Sequence, residues 1–70
     1  MERLLVEAER LSSVGYNARK GDMEVETKAG EILLYMGVPA ATYLALMNSD
    51  SKDVYFDENI KDVFIFKKVK

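Results

Sequence analysis

The stretch EILLYMGVPAATYLALMNSD, residues 31–50, changes its hydrophobic period halfway along. Before Gly37-Val38-Pro39 it alternates: Ile32, Leu34 and Met36 fill one face and Leu33 and Tyr35 the other, a strand apolar on both sides. After the join, alternation gives way to Ala40, Tyr43, Leu44 and Met47 at helical intervals. Pro39 cannot donate to a ladder but suits the first turn of a helix. So short a helix is marginal in isolation and must be held by packing. The segment therefore reads as a strand that hands the chain to the helix covering it.

The flanking sequence extends this unit into an α+β fold. LSSVGYN places Val14 and Tyr16 on one strand face and Ser13 and Gly15 on the other. ARKGD follows as a hairpin loop, with Gly21 free to take a positive φ. DMEVETK alternates Met23, Val25 and Thr27 against Glu24, Glu26 and Lys28, a half-buried antiparallel strand. KAGE turns around Gly30. NSDSKD is a polar exit loop, and VYFDENIKD reads as an irregular or single-turn connection anchored by Tyr55, Phe56 and Ile60. VFIFKKVK closes the sheet, with Val63, Ile65 and Val69 opposite Phe64 and Phe66. The expected architecture is a small antiparallel sheet with a β-β-β-α-β core in a single domain, residues 1–70. The N-terminal segment stays open between helix and strand. Leu4, Ala8 and Leu11 make a helical stripe and Leu4, Val6 and Ala8 a strand alternation, with Glu, Arg, Ala and Leu content tipping toward helix.

Size and composition narrow the function classes. A chain of 70 residues buries only about 60% of its unfolded surface. With no cysteine, no disulfide or thiolate is available, and with no histidine the usual metal ligand and near-neutral acid/base are missing. Acids outnumber bases to a net charge of −2, so a nucleic-acid partner would have to be held by a local basic patch. Glu2, Glu7 and Glu9 stand where a secretory leader would be basic and then apolar. The apolar run from Ile32 to Met47 falls short of the ~20 residues of a membrane span. A cytoplasmic setting without membrane association is the expectation, with no cofactor and no metal.

One short helix covers only one face of a sheet. The other face, expected to include Leu33, Tyr35, Phe64 and Phe66, then needs the N-terminal segment, a second copy in a homo-oligomer, a protein partner or a ligand.

From Leu11 to Val69 the order of features resembles the KTSC domain, a small domain found alone in bacterial and phage proteins and at the C-terminus of some lysyl-tRNA synthetases. The matching residues are SVGYN, MEVE, Gly30, LLYMGVP, Tyr43, Ser51-Lys52, and YFDENIKD leading into FIFKKV. Gly37-Val38-Pro39 and the Phe56, Asn59, Ile60 triplet are the most specific. The resemblance implies an α+β fold and, through the synthetase association, RNA binding. The chain departs from the pattern in three places. The central Tyr-x-Tyr reads Leu33-Leu34-Tyr35, which removes one candidate stacking ring. A glycine after Ser-Lys is replaced by Asp53, which adds negative charge and makes a left-handed turn costlier. Of three positions often basic, Glu58, Lys61 and Val63, only Lys61 is basic. Each change reduces stacking or phosphate attraction.

Two constellations carry candidate binding chemistry. Tyr35, Phe64 and Phe66 beside Lys67, Lys68 and Lys70 would stack bases and hold a backbone, or else form core with a lysine-guarded edge. Ser51, Lys52, Asn59 and Lys61 would rim an anionic ligand such as a small nucleotide, or else satisfy loop backbone groups, Asn59 above all. The acids Asp50, Asp53, Asp57, Glu58 and Asp62 fail calcium-loop spacing, since Lys52 and Asp53 occupy a ligand position and the turn glycine. Ser51 and Lys52 are sequence neighbours whose side chains do not converge, so no catalytic pair is expected. The reading is a small non-enzymatic binding module, RNA first, with a protein-interaction or self-assembling module, or a small-nucleotide binder, as the alternative.

Overall fold

Strand alternation in the middle of the chain sorts the side chains of one sheet onto two unlike faces. In the computed structural model, which describes residues 2–70, the elements are β1 (Arg3–Leu5), β2 (Leu11–Asn17), β3 (Asp22–Thr27), β4 (Ile32–Tyr35), α1 (Ala40–Asn48), α2 (Lys52–Asn59) and β5 (Phe66–Lys68). The strands form one sheet in the order β1-β2-β3-β4-β5, and each neighbouring pair is antiparallel. The expected α+β architecture is present, enlarged by β1 and α2.

The register fixes the faces. Leu4, Val14, Val25 and Leu33 form one row, and Tyr16, Met23, Tyr35 and Phe66 form the next, all on the same side. Both helices pack there: Tyr43 of α1 stacks on Tyr16 at 4.7 Å between centroids, and Phe56 of α2 meets Tyr35 edge-on at 5.6 Å. Val14, Met23, Val25, Tyr35, Val38, Leu46, Phe56 and Ile60 are buried between sheet and helices.

The strand-to-helix corner is held from two neighbouring elements. Val38 N–H donates to the Gly21 carbonyl (2.8 Å), and the Tyr16 hydroxyl donates to the Val38 carbonyl (2.6 Å). Gly21 closes the β2–β3 turn at φ +71°, and a Cβ there would stand 3.4 Å from the Val38 carbonyl oxygen. Glycine gives that turn its positive φ and lets the two loops approach. Pro39 then stands at the N-cap of α1, where its carbonyl accepts from Thr42 and Tyr43 N–H.

Several expectations change. Residues 3–5 form a strand, not a helix: Leu4 pairs opposite Val14, and the ladder overrides local helix preference. The connection between α1 and the last strand contains a true helix, α2, although its anchors Phe56 and Ile60 are buried and Tyr55 is half-buried as foreseen. In α1 the inward stripe runs through Tyr43, Leu46 and Met47, with Ala40 and Leu44 exposed. The last strand is shorter, beginning at Phe66, while Phe64 packs half-buried against the core.

The largest correction concerns the two sheet faces. Leu33, Tyr35 and Phe66 do not wait for a partner; they lie on the helix side, where α2 supplies the second cap. The face away from the helices is divided. Toward β1–β3, Arg3 lies in the row of Gly15 and reaches Glu24 at 3.4 Å, and Ser13 donates to Glu26 at 2.9 Å. Toward β4 and β5 it carries Ile32 and Leu34, both half-buried, with Ile65, Lys67 and Val69. Charge pairs cover part of that face, while Leu5, Ile65 and Val69 remain exposed on it.

Leu46 and Leu44 give a direct check on the orientation of α1. Leu46→Ala should cost ~2–5 kcal/mol through the cavity it leaves. That is most of what a domain this small holds. Leu44→Ala should stay within ~0.5 kcal/mol. Urea denaturation followed by circular dichroism measures both, and equal midpoints for the two variants would place α1 in another rotation.

Candidate functional site

The helices do not cover the whole of their face. A groove of about 430 Å³ opens beside α2, over the ends of β3–β5. Its floor is Leu33 and Phe66, with Leu11, Tyr35 and Phe56 forming the inner wall. Glu9 and Arg10, from the connection between β1 and β2, close one side. Asp57, Lys61 and Asp62, at the end of α2 and just beyond it, form another. Thr27, Lys28, Ala29 and Glu31 make the lip at the β3–β4 turn.

One ion cluster builds a wall of this groove. Glu9 and Arg10 backbone N–H groups donate to the Asp53 carboxylate at 2.6 and 3.1 Å. The Arg10 guanidinium engages both carboxylate oxygens of Asp57 and donates to the Asp53 carbonyl at 3.4 Å. The bidentate bond holds the Asp57 carboxyl below the usual carboxylate range and raises Arg10. Asp53 therefore does not interrupt a left-handed turn: it lies in the first turn of α2, and no non-glycine residue among those described has a positive φ. Its carboxylate pins the β1–β2 connection to the helix.

Tyr35 is 1% exposed, and among the described residues its hydroxyl has no hydrogen-bond partner. Burial raises its pKa, and Asp62 and Asp57 add to the rise, so the phenol is held neutral. Phe66 lies tilted on Tyr35, with centroids 5.0 Å apart, and is 47% exposed. It is the accessible ring of the groove.

The expected binding residues do not converge as one surface. Tyr35 and Lys61 line the groove, and Lys68 stands at its edge, paired with Glu31 at 3.1 Å. Lys67, one residue away on β5, points to the opposite face. Phe64 is packed against the core. Lys52 sits at the other end of α2, where its ammonium donates to the Ser49 carbonyl (2.9 Å). Asn59 donates to the Tyr55 carbonyl (3.2 Å), the side-chain to backbone bond foreseen for it. Ser51 and Lys52 are thus separated from Asn59 and Lys61 by the length of α2, and the four do not rim one site. Arg10, Lys28, Glu31 and Asp57 belong to the groove without having been foreseen. Arg10 lies 47 residues from Asp57 in sequence, so no local spacing signals their meeting.

The match of this architecture to known proteins is direct. The family profile of the KTSC domain matches residues 7–64. The chain belongs to the KTSC domain family. Its fold is similar to the crystal structure of the KTSC domain protein YPO2434 from Yersinia pestis, with TM-score 0.93 and 30% identity over 99% of this chain and 97% of that one. It is also 31% identical over 61 residues to an uncharacterized protein of Stutzerimonas stutzeri (strain A1501), covering 87% of this chain and 86% of the other. Leu33 and Tyr35, two residues apart on β4, both face the groove.

The Arg10–Asp57 bond makes a signed prediction about pH. Asp57 has a depressed folded-state pKa, so its contribution to stability is present above the unfolded value of ~3.9. It is lost as pH falls through the folded value. Asp57→Asn should therefore be less stable than wild type at pH 7, and the gap should close in strong acid. The Arg10 and Asp57 side chains are 55% and 37% exposed, so the gap should be small. Urea midpoints for both proteins across this range measure it, and a gap independent of pH would remove the carboxylate from the account.

Proposed function

We propose that this KTSC domain is a non-enzymatic binding module that takes one unstacked base of a single-stranded RNA into the groove. The observation that carries the reading is the half-exposed Phe66 ring, backed by Tyr35, in a groove that Lys28 and Lys61 also line. A groove of about 430 Å³ is large enough for a planar heterocycle. Its rim offers acceptors and donors of both signs, as the edge of a base requires. The placement of KTSC domains at the end of some lysyl-tRNA synthetases supports the same choice by association. Burial pushes the Tyr35 phenol up, away from the range of a base at neutral pH, which supports a binding role for the groove.

Charge pairing sets how such an RNA would be held. Arg10 is committed to Asp53 and Asp57, and Lys68 to Glu31. Among the described residues, Lys28 and Lys61 are the groove cations without an ion-pair partner. Affinity would rest on stacking more than on phosphate contacts. A protein-interaction reading also has one observation behind it, the exposed apolar side chains along β5, and that surface is separate from the groove wall.

Anisotropy titration of a fluorescent single-stranded RNA tests the reading. Phe66→Ala should cost ~1–3 kcal/mol of binding. With two phosphates neutralised, log K should fall against log salt with a slope of about −1.4. No binding in the micromolar range at low salt, or full affinity in the Phe66 variant, would overturn it.

A further inference from the structure

We propose that the outer edge of β5 is a strand-addition site for an extended segment of a partner protein that carries acidic and apolar residues in turn along one face. The inference concerns a different surface from the groove and does not require RNA binding. β5 is paired on one side only, to β4. Met36 N–H bonds the Ile65 carbonyl and Val69 N–H bonds the Ile32 carbonyl, so Ile65 and Val69 use their backbone groups inward. By the alternation of an antiparallel ladder, the N–H and C=O groups of Phe66 and Lys68 face outward, unclaimed by another strand. That is a template for one more strand.

The side chains along this edge specify what would fit. Eight large apolar residues are markedly exposed among those described, and three of them outside the groove, Val63, Ile65 and Val69, fall within seven residues. Ile65 is 76% exposed and Val69 55%, on the same face as Lys67, which stands between them. A cross-strand neighbour reading apolar, acidic, apolar would cover the row and pair the lysine. Lys68 and Lys70 add positive charge along the edge of a chain that is acidic as a whole. A second copy offers poorer complements. Its β5 would bring lysines against lysines, and its β1 would bring Arg3 toward them. An RNA backbone would meet the lysines but leave Ile65, Val69 and the outward amides without partners.

The test uses a labelled synthetic peptide repeating valine-threonine-glutamate-threonine, which sets valine and glutamate in turn along one strand face, with a valine-threonine-lysine-threonine repeat as its counterpart. Wild type should bind the acidic peptide, slowing hydrogen exchange at the Phe66 and Lys68 amides. The double charge reversal Lys67→Glu/Lys70→Glu should weaken binding at least ~10-fold, as loss of complementary charge at an interface requires. Neither lysine lines the groove, so RNA binding there is left unchanged and the two surfaces are tested apart. Lys68→Pro removes one outward N–H and should abolish binding, whereas Lys68→Ala, which removes the same Glu31 ion pair, should retain it. The charge-reversal arm stands even where the proline variant fails to fold. Equal binding of the two peptides, no binding of either, unchanged affinity in the charge-reversed protein, or light scattering that shows wild type already paired edge to edge would overturn the proposal.

Discussion

The structure depends on the corner at Gly37-Val38-Pro39, where a strand becomes a helix within three residues. A turn this abrupt leaves backbone polar groups that must find partners away from their own ladder. Val38 meets the requirement in both directions, donating to Gly21 and accepting from Tyr16. Those partners belong to the β2–β3 hairpin, so the corner also fixes where α1 lands. Tyr16 does two jobs: its hydroxyl holds the corner and its ring stacks on Tyr43 of the helix that follows. Once α1 is placed, the short α1–α2 connection sets α2 over Tyr35, and the uncovered remainder of the face becomes the groove.

The groove is formed by what α2 leaves open and by what the N-terminal connection closes. A helix of eight residues, ~12 Å long, cannot reach across the full sheet. Arg10 and Asp53 bring the β1–β2 connection up to its side, so the wall is electrostatic while the floor is apolar. Around Leu33 and Phe66 the charges of Arg10, Asp53 and Asp57 are paired with one another. The same pairing keeps a chain of net negative charge from presenting a purely acidic rim.

Much of the fold was legible because strand alternation is local. Met23 and Val25 against Glu24 and Glu26 report a half-buried strand without reference to the rest of the chain, and the period change at Pro39 reports the corner. The misread parts are those in which tertiary contacts outweigh local pattern. Residues 3–5 favour helix by composition but gain an edge ladder against β2. Residues 52–59 show no clean helical period because Val54, Tyr55 and Phe56 are consecutive, and only packing decides that Phe56 turns inward. A strand apolar on both faces does not say which face the helices choose. That ambiguity led the Leu33 and Tyr35 side to be read as uncovered. Half of the groove was equally hidden, since Arg10, Lys28 and Asp57 come from three separate elements.

The two outer strands lie four strand spacings apart, ~19 Å across the sheet. Because every neighbouring pair is antiparallel, β1 and β5 run in the same direction, so the chain enters beside one corner and leaves beside the diagonal one. A carrier attached ahead of β1 is thereby kept on the far side of the molecule from β5. One attached after Lys70 crowds that strand at once. The choice of end for an affinity handle or an immobilising tether thus determines which half of the surface stays accessible.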